Sequence, residues 1–429
     1  MHLRSELPLR TLTWALVVVA VAAYMLLSAQ MLLRLGVPYD APFGSPLAKL
    51  HPGTYCLLLA WFTALASHGN PLRGLVGQMM RHALFATYLA CMLWIFVWVI
   101  FRHGASGAAF IVESLWMPAI AAFTLYLLDS SRHRQIVQIM VLLLTCNAVL
   151  AIGEVLTATR LTPLHVGLEG IVPEAYFRAS AFLGHPLHNA LITVSLLPVV
   201  TLLPWSLPRR LMIILLLILS LLAFGGRTSL GLGLLVYGGY AVYRLGLDIG
   251  HGRYSYLQLT GGSLAVMLMA TGLVGVAAAT GLGERIFHNL KFDSSASVRL
   301  QVWDVFHYMS ADDLWIGLAP NQIDHILLRI GVDPIYEALE NFWISLFMQF
   351  GVIGFIPFIV GLVCLVAALW KISTPPMRAA VLLYFLVAST ANTLSSKTAS
   401  LTLLVIAIVA GTAFRRRDRR LPTVGPSIA

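Results

Sequence analysis

Apolar runs of about membrane length follow one another along most of the 429-residue chain. A run of roughly 20 apolar residues is long enough to cross the hydrocarbon core of a bilayer as a helix. In hydrocarbon every backbone amide must be paired within its own segment, which favours helices. The pattern therefore predicts an all-α polytopic membrane protein with about twelve transmembrane helices. The segments lie near residues 12–33, 53–67, 83–101, 108–128, 135–157, 186–206, 211–224, 228–247, 256–281, 342–370, 378–394 and 398–414.

One long polar stretch interrupts this pattern between segments nine and ten. Residues 282–340 hold nine of the chain's 18 acidic residues and no membrane-length apolar run. Apolar positions at helical spacing, such as Val302 and Phe306, predict a first helix that Gly317 breaks, and Asn321 predicts the cap of a second helix. We therefore expect a large helical loop between helices nine and ten.

Composition and charge placement agree with a membrane protein. The chain is 59% hydrophobic and only 11% charged, whereas a soluble domain has about 25% charged residues. The net charge of +10 does not indicate nucleic acid, because most basic residues flank apolar runs, as membrane topology requires. With a cytoplasmic N-terminus, 17 of the 28 lysines and arginines fall on the inner side. The positive-inside rule then predicts one membrane domain over residues 1–429, with both termini cytoplasmic and residues 282–340 periplasmic.

Three arginines on the predicted outer side are candidates for chemistry: Arg178, Arg227 and Arg299. Arg227 lies in AFGGRTSLG, a very short link between segments seven and eight. A charge so close to hydrocarbon is costly unless it faces a cavity or a partner. A guanidinium suits phosphate through its fixed charge and its two-pronged donor geometry. A snorkelling or salt-bridged arginine is the alternative interpretation.

The end of the long loop and the start of segment six supply further candidates. Glu340 and Asn341 lie where the loop enters segment ten, which suits either a general base beside an amide or a solvated helix start. His185 and His188 flank Pro186 at the start of segment six, where acid–base, ligand-binding and structural roles are all open.

The remaining acids and the cysteines carry weaker signals. Glu113 and Glu154 lie near the outer ends of predicted helices and are candidates to pair with outer arginines. Asp312 and Asp313 are adjacent loop acids, which are more often solvated than metal-bound, so we predict no metal site. The four cysteines lie within apolar runs without a CxxC pair, and we interpret them as small core side chains.

The end of the long loop resembles that of the O-antigen ligases. Their pattern, H-[N/S/Q]-x9-G-x-x-[G/T/Y], closes a large periplasmic loop. Asn341, Gly351 and Gly354 fit this spacing. Glu340 stands where the family has histidine, and a carboxylate is also able to serve as a base.

Three further stretches are similar to segments of the same family. FRASAFLGHPLHN, which contains Arg178, is similar to its arginine-plus-Gly-x-Pro-Asn segment. GGRTSL, which contains Arg227, is similar to its short arginine turn. SVRLQVWDVF and LWIGLAPNQ, with Arg299 and Gly317, are similar to the arginine helix and glycine turn of the large loop. The resemblance spans about residues 175–360.

The resemblance implies a GT-C-like membrane glycosyltransferase in the inner membrane of a Gram-negative cell. The implied reaction is an inverting transfer of a glycan from undecaprenyl diphosphate to a sugar hydroxyl of lipid A–core, in lipopolysaccharide biosynthesis. It implies no cofactor, whether nucleotide or metal, and partners that are the lipid-linked donor, the lipid A–core acceptor and membrane lipids. The catalytic residues we expect are Glu340, Arg227 and Arg299. The substrate-binding residues we expect are Arg178, His185, His188 and Asn341.

Two other functions remain open from the sequence. An O-antigen polymerase joins lipid-linked repeat units to each other and has a related plan. A lipid-linked oligosaccharide flippase or transporter would show repeated halves and charges near the bilayer midplane, whereas the unusual charges here cluster near the outer end.

Overall fold

The computed structural model describes residues 3–40, 45–67, 70–104, 107–162, 177–252, 301–332 and 341–415, with single positions between 255 and 279. Every regular element in these ranges is helical, and none is a strand, so the all-α prediction is confirmed for them. The α-helices are α1 Leu3–Leu26, α2 Ala29–Arg34, α3 Pro52–Ala66, α4 Pro71–Arg81, α5 Ala83–His103, α6 Ala108–Phe110, α7 Met117–Tyr126, α8 Ser130–Thr157, α9 Pro186–Leu196, α10 Leu207–Ala223, α11 Arg227–Gly233, α12 Gly239–Gly250, α13 Ala311–Ile316, α14 Pro320–Arg329, α15 Phe342–Ile372, α16 Pro375–Ala388 and α17 Ser400–Arg415. Short 3₁₀ helices span Pro46–Lys49, Leu197–Leu202 and Val302–His307, and π-helical turns span Ile111–Trp116 and Leu234–Gly238.

Six stretches among the described residues are long and apolar enough to cross a membrane. They are Pro8–Leu26, Ala83–Arg102, Ala108–Tyr126, Ser130–Thr157, Arg227–Gly250 and Phe342–Ile372. Shorter apolar helices occupy Pro52–Ala66, Pro186–Leu202, Pro375–Ala388 and Ser400–Phe414. These helices fall on the segments that the apolar pattern predicts, whereas most of segment nine lies outside the described residues.

Helix α17 forms the centre of the bundle. Residues 401–411 are all buried, and α17 packs against α7 and α8. A helix that is apolar on every side belongs inside a bundle rather than at its surface. By contrast, α5 leaves large apolar side chains uncovered, with Val97 58% and Phe101 80% exposed. Apolar side chains on this outer face suit contact with lipid rather than with water.

The first apolar segment is not one continuous helix. The pattern predicts a helix over residues 12–33, but α1 ends at Leu26 and α2 begins at Ala29. Ser28 causes the interruption, because its hydroxyl accepts the Met31 amide at 3.2 Å and so starts a new helix. The break leaves the Leu27 carbonyl free to accept a hydrogen bond from outside the helix.

One end of the bundle, the basic end, gathers basic residues that the positive-inside rule assigns to the same side of the membrane. The Arg10 guanidinium lies 4.0 Å from the Asp129 carboxylate, and the Arg132 guanidinium donates to the Arg10 carbonyl. A cavity of about 820 Å³ at this end is lined by Arg81 and Lys371, among other residues. These residues therefore share one end, as their sorting from the sequence requires.

The opposite end, the loop end, collects the described parts of the long connections at residues 27–40, 45–51, 177–185, 301–332 and 389–399. The Phe342 amide, at the start of α15, donates to the Ala391 carbonyl at 3.2 Å. The Lys397 ammonium donates to the Tyr39 carbonyl at 2.6 Å. Contacts between distant connections thus give the loop end a defined structure.

The described part of the long loop has its own small core. Its buried apolar side chains include Val302 and Val305 and pack against Ile344 and Met348 of α15. The second loop helix, α14, begins at Pro320, one residue before the cap predicted from the sequence. Proline fits the first turn because its missing N–H needs no partner there.

The loop is fastened to α15 by contact between two glycines. Gly317 and Gly351 have positive φ angles of 81° and 59°, which glycine adopts at little cost. A Cβ on Gly317 would lie 2.4 Å from the Gln349 carbonyl oxygen, and a Cβ on Gly351 would lie 2.4 Å from the Gly317 nitrogen. The kink of α15 at Gly351 frees the Met348 carbonyl, which accepts the Leu318 amide at 2.6 Å.

Helix α5 supports the same junction. Trp98 donates from its indole nitrogen to the Phe350 carbonyl at 3.1 Å, and Arg102 donates to the Gly317 carbonyl at 3.4 Å. Gly317 and Gly351 belong to separate sequence motifs, and the structure places them in direct backbone contact. This contact explains why both positions are glycine.

We predict that Gly317→Ala destabilises the protein much more than Gly331→Ala. Gly331 also has a positive φ, of 82°, but open space around its missing Cβ. The control should cost about 1–2 kcal/mol for its positive φ, whereas Gly317→Ala adds a backbone clash that costs roughly 1–3 kcal/mol more and occupies a φ, ψ region, 81° and 170°, that is essentially open to glycine alone. Equilibrium unfolding of both purified variants in mixed micelles measures the difference in stability. Equal losses of stability in the two variants would show that the contact between Gly317 and Gly351 does not stabilise the fold.

Candidate functional site

Residues 177–185, here called the pinned segment, run across the loop end in extended and turn conformations. Glu154, near the end of α8, accepts the amides of Leu161 at 2.8 Å, Ser180 at 2.8 Å and Ala181 at 2.9 Å. The Glu154 residue is only 3% exposed, and the charge-assisted bonds offset the cost of burying its carboxylate. Glu154 therefore fixes the backbone at two points of the loop that follows α8.

Two buried asparagines complete the support of the pinned segment. The Asn147 amide donates to Asn189 Oδ1 at 2.8 Å and accepts the Phe182 amide at 3.0 Å. Asn189 donates to the carbonyls of Ser180 at 2.6 Å and His185 at 3.0 Å. Side-chain amides are suited to this position because each supplies both donors and an acceptor. The pinned segment is thus tied to α8 and α9 by side chains rather than by secondary structure.

The two described candidate arginines lie on backbone segments that are joined directly. The Ala179 amide donates to the Ala223 carbonyl at 3.1 Å. Arg178 immediately precedes Ala179, and Arg227 begins α11 just after the turn that follows Ala223. Both arginine side chains are partly exposed. The structure therefore brings together two motifs that lie about fifty residues apart in the sequence.

Two more arginines surround the pinned segment. Arg160 donates to the Arg178 carbonyl at 2.9 Å, and its guanidinium lies 4.4 Å from the ring centre of Phe177. Arg34 donates to the Leu161 carbonyl at 2.7 Å. Neither arginine is among the site residues expected from the sequence. Together with the two candidates they form the arginine patch: Arg34, Arg160, Arg178 and Arg227. Hydrogen bonds to the backbone relate the segments of these four arginines, and guanidinium groups suit a phosphate-bearing ligand.

Asn341 has a structural task at the start of α15. Its side-chain oxygen accepts the amides of Trp343 at 3.1 Å and Ile344 at 3.3 Å, which caps the helix. The other two catalytic candidates, Glu340 and Arg299, lie outside the described residues. The structure therefore fixes the backbone immediately after Glu340 and leaves the role of that residue a prediction.

The two candidate histidines line one cavity of about 240 Å³ at the loop end. His185 caps α9, with Nδ1 accepting the Leu187 amide at 3.3 Å. His188 lies one turn further into the helix, and its Nε2 atom is buried with no hydrogen-bond partner in the described part of the chain. An unpartnered buried nitrogen is costly, so His188 carries an unmet hydrogen-bonding need close to the cavity.

Glu113 is the buried acid of this cavity. It lies in the π-helical turn Ile111–Trp116, a helix form that occurs often at functional sites. The Tyr39 hydroxyl and the His51 amide donate to its carboxylate, and the Thr54 hydroxyl donates at 3.2 Å. The expected pairing with an outer arginine is not what the structure shows: Glu113 binds hydroxyl and amide donors, and Glu154 binds backbone amides.

Lys397 provides the cation of the cavity. Its ammonium lies 3.0 Å from the Asp40 carboxylate and donates to the carbonyls of Tyr39 at 2.6 Å and Lys49 at 3.2 Å. It also lies 3.5 Å from the centre of the Tyr39 ring, in cation–π contact. Lys397 therefore joins the connection before α17 to the connection between α2 and α3.

His51 and Tyr39 are held in their neutral forms. Burial lowers the pKa of His51, and its ring accepts the Gly53 amide at Nδ1 while Nε2 faces the Leu27 carbonyl at 2.7 Å. A neutral imidazole with its proton on Nε2 fits both contacts. Burial raises the pKa of Tyr39, and the neighbouring Glu113 carboxylate raises it further. The Tyr39 phenol therefore keeps the proton that it donates to Glu113.

The cavity residues missed from the sequence are Tyr39, His51 and Lys397. Tyr39 and His51 lie in the connection between α2 and α3, and Lys397 lies in the connection before α17. Their partners are backbone groups or side chains that are distant in the sequence. No local spacing links them, so the only sequence signal was the presence of Glu113 within an apolar segment.

No family model matches the sequence, and no curated protein matches it.

We predict that Glu154→Gln loosens the pinned segment. A glutamine keeps one acceptor oxygen, so its NH₂ group must face at least one of the three backbone donors. A buried unmatched donor costs about 1–3 kcal/mol. Limited proteolysis near Phe177 and thermal unfolding should both show the change. Asp324→Asn is the control, because it also replaces an acid by its amide but at an exposed position of α14, and it should match the parent protein. Unchanged proteolysis in Glu154→Gln would contradict the anchoring role.

Proposed function

We propose that the protein transfers a glycan from undecaprenyl diphosphate to a sugar hydroxyl of lipid A–core, as O-antigen ligases do. The proposal includes a GT-C-like fold with twelve spans, both termini in the cytoplasm and residues 282–340 in the periplasm of a Gram-negative cell. The loop end then faces the periplasm, where a lipid-linked glycan and lipid A–core meet. The active site lies at this end and opens to the outer leaflet.

The observation that carries the proposal is the hydrogen bond between the Ala179 amide and the Ala223 carbonyl. It joins the segments of Arg178 and Arg227, the two described arginines that the family resemblance selects. The connection at residues 389–399 links the same end to Asn341, because Ala391 accepts the Phe342 amide at 3.2 Å. Motifs that are weak singly therefore converge at one end of the bundle.

The chemistry divides between leaving group and nucleophile. Arg178 and Arg227 hold the diphosphate, and their fixed charges stabilise the negative charge that grows as the bond from the anomeric carbon to phosphate breaks. The acceptor hydroxyl oxygen attacks the anomeric carbon from the opposite face, which inverts it. Glu340 takes the hydroxyl proton as general base, and Arg299 adds to the charge that faces the diphosphate. The diphosphate departs still attached to the lipid, and the electron pair of the broken bond stays on the phosphate oxygen that was bonded to the anomeric carbon.

This division does not require a metal ion. Arginines are able to neutralise the charge that a divalent cation would otherwise take. Asp313, half of the acidic pair in the loop, is engaged in capping α13, where its carboxylate accepts the Ser310 amide at 2.9 Å and hydroxyl at 2.6 Å. Asp313 therefore has a local structural use.

We predict that Arg227 variants lose transfer in proteoliposomes supplied with undecaprenyl-diphosphate glycan and lipid A–core. Arg227→Ala should lower turnover about 100-fold, as the loss of one stabilising donor does in other active sites. Arg227→Lys keeps the charge but loses the planar fork, so it should remain substantially impaired. Arg329→Ala removes an exposed arginine at the end of α14 and serves as the matched control with normal turnover.

The acceptor side is tested in the same assay. Glu340→Gln should lower turnover more than donor binding, because the amide keeps the shape of the carboxylate without its basicity. Glu340→His restores the family residue and should retain activity. Near-normal transfer by both Arg227→Ala and Glu340→Gln, in correctly inserted protein, would refute the proposed active site.

A further inference from the structure

The cavity of about 820 Å³ at the basic end, here called the basic-end cavity, holds two cations that have no partner. Arg81 lies in the last turn of α4 and Lys371 in the last turn of α15. Both are exposed, and neither side chain makes a hydrogen bond or an ion pair with another residue in the described part of the chain. The acid among the described lining residues, Asp129, already faces Arg10 at 4.0 Å. The charge of this cavity therefore favours an anionic ligand.

The lining of the basic-end cavity combines polar and apolar surface. The exposed Ser130 contributes a hydroxyl that has no hydrogen-bond partner among the residues that the structure describes. Leu84 of α5 and Ile372 of α15 contribute apolar side chains that are only half-buried. A small hydrophilic anion would leave this apolar surface in contact with water, whereas an amphipathic anion would cover it. The lining therefore favours an anion that also carries hydrocarbon.

Helix α4 indicates where such a ligand comes from. With 11 residues it is too short to cross the hydrocarbon core. Leu72, Val76 and Met80 of α4 are exposed, and their spacing of four residues places them on one face. Gln78 is buried and donates to the Phe123 carbonyl of α7 at 3.1 Å, which fixes the helix to the bundle. A short helix with an exposed apolar face and basic residues is suited to lie along a membrane surface.

We infer that the basic-end cavity binds the headgroup of an anionic phospholipid from the leaflet that α4 contacts. Arg81 and Lys371 hold the phosphate from two helices, Ser130 donates to the headgroup, and the acyl chains begin beside Leu84 and Ile372. A zwitterionic headgroup brings its own cation close to these two, so a headgroup with net negative charge binds better. The site lies at the end opposite the arginine patch, and the inference does not depend on the proposed transfer reaction.

The test measures lipid preference directly. Full-length protein is released for native mass spectrometry from micelles that contain phosphatidylglycerol and phosphatidylcholine in equal amounts and with the same acyl chains. The parent protein should hold phosphatidylglycerol at least about tenfold more strongly, because that headgroup is net negative beside two cations. Arg81→Gln combined with Lys371→Gln should weaken phosphatidylglycerol binding about thirtyfold, since each cation beside an anionic lipid contributes about a fivefold change.

Arg244→Gln combined with Arg378→Gln is the matched control. It also removes two positive charges from exposed positions, which the positive-inside rule assigns to the same side of the membrane, but neither arginine lines the cavity. This variant should hold phosphatidylglycerol as strongly as the parent does. If the Arg81 and Lys371 double variant fails to fold, Lys371→Gln alone replaces it and should weaken binding about fivefold.

Bound lipid should also stabilise the fold, because a ligand that binds only the folded state raises the unfolding temperature. Phosphatidylglycerol should raise the unfolding temperature of the parent and of the control more than phosphatidylcholine does. The two lipids should act equally on the Arg81 and Lys371 variant, which has lost the cations that discriminate between them.

Three results would overturn the inference. Equal retention of the two phospholipids by the parent would show that the cavity does not select an anionic lipid. Equal weakening in the two double variants would show only a general attraction of the basic end for negative charge. Displacement of phosphatidylglycerol by an equal concentration of glycerol 3-phosphate would show that the cavity takes a soluble phosphate ester rather than a lipid.

Discussion

The pairing of backbone polar groups away from water is the constraint on which the loop end depends. An unpaired amide or carbonyl in a water-poor interior costs as much as a lost hydrogen bond. The chain nevertheless leaves helical form at Leu27, across the pinned segment and at Gly351. His51 faces the freed Leu27 carbonyl, Glu154 accepts three backbone amides, and the Leu318 amide fills the gap at the α15 kink. The groups that pair with the backbone at these breaks therefore also determine the structure of the loop end.

The loop end contains two different electrostatic environments. The arginine patch lies around the pinned segment, where guanidinium groups donate to carbonyls and remain partly exposed. The cavity lies beside it, with Lys397 paired to Asp40 and with Glu113 bound by neutral donors. A lipid-linked glycan has a diphosphate at one end and uncharged sugars at the other, and a site with these two parts matches that asymmetry. The proposal therefore assigns the diphosphate to the arginines.

Helix positions were predictable because the length and apolarity of a segment are local properties of the sequence. The break at Ser28 was not, since a single hydroxyl that caps α2 leaves the apolar pattern of residues 12–33 unchanged. The glycine junction was predictable only as two separate positions, because contact between Gly317 and Gly351 depends on how the loop folds back. The cavity was missed for a related reason: Glu113 binds side chains from other connections, and backbone donors of this kind have no sequence signature.

The central claim is that the protein joins a lipid-linked glycan to lipid A–core. The most direct measurement supplies proteoliposomes that contain the purified protein with undecaprenyl-diphosphate glycan, either with lipid A–core or alone, in EDTA. The account predicts a glycan–lipid A–core product only when the acceptor is present, with activity unaffected by EDTA. Lengthened lipid-linked glycan from donor alone would identify a polymerase, movement of donor across the bilayer without transfer would identify a transporter, and activity that returns only with magnesium or manganese would contradict the metal-free mechanism.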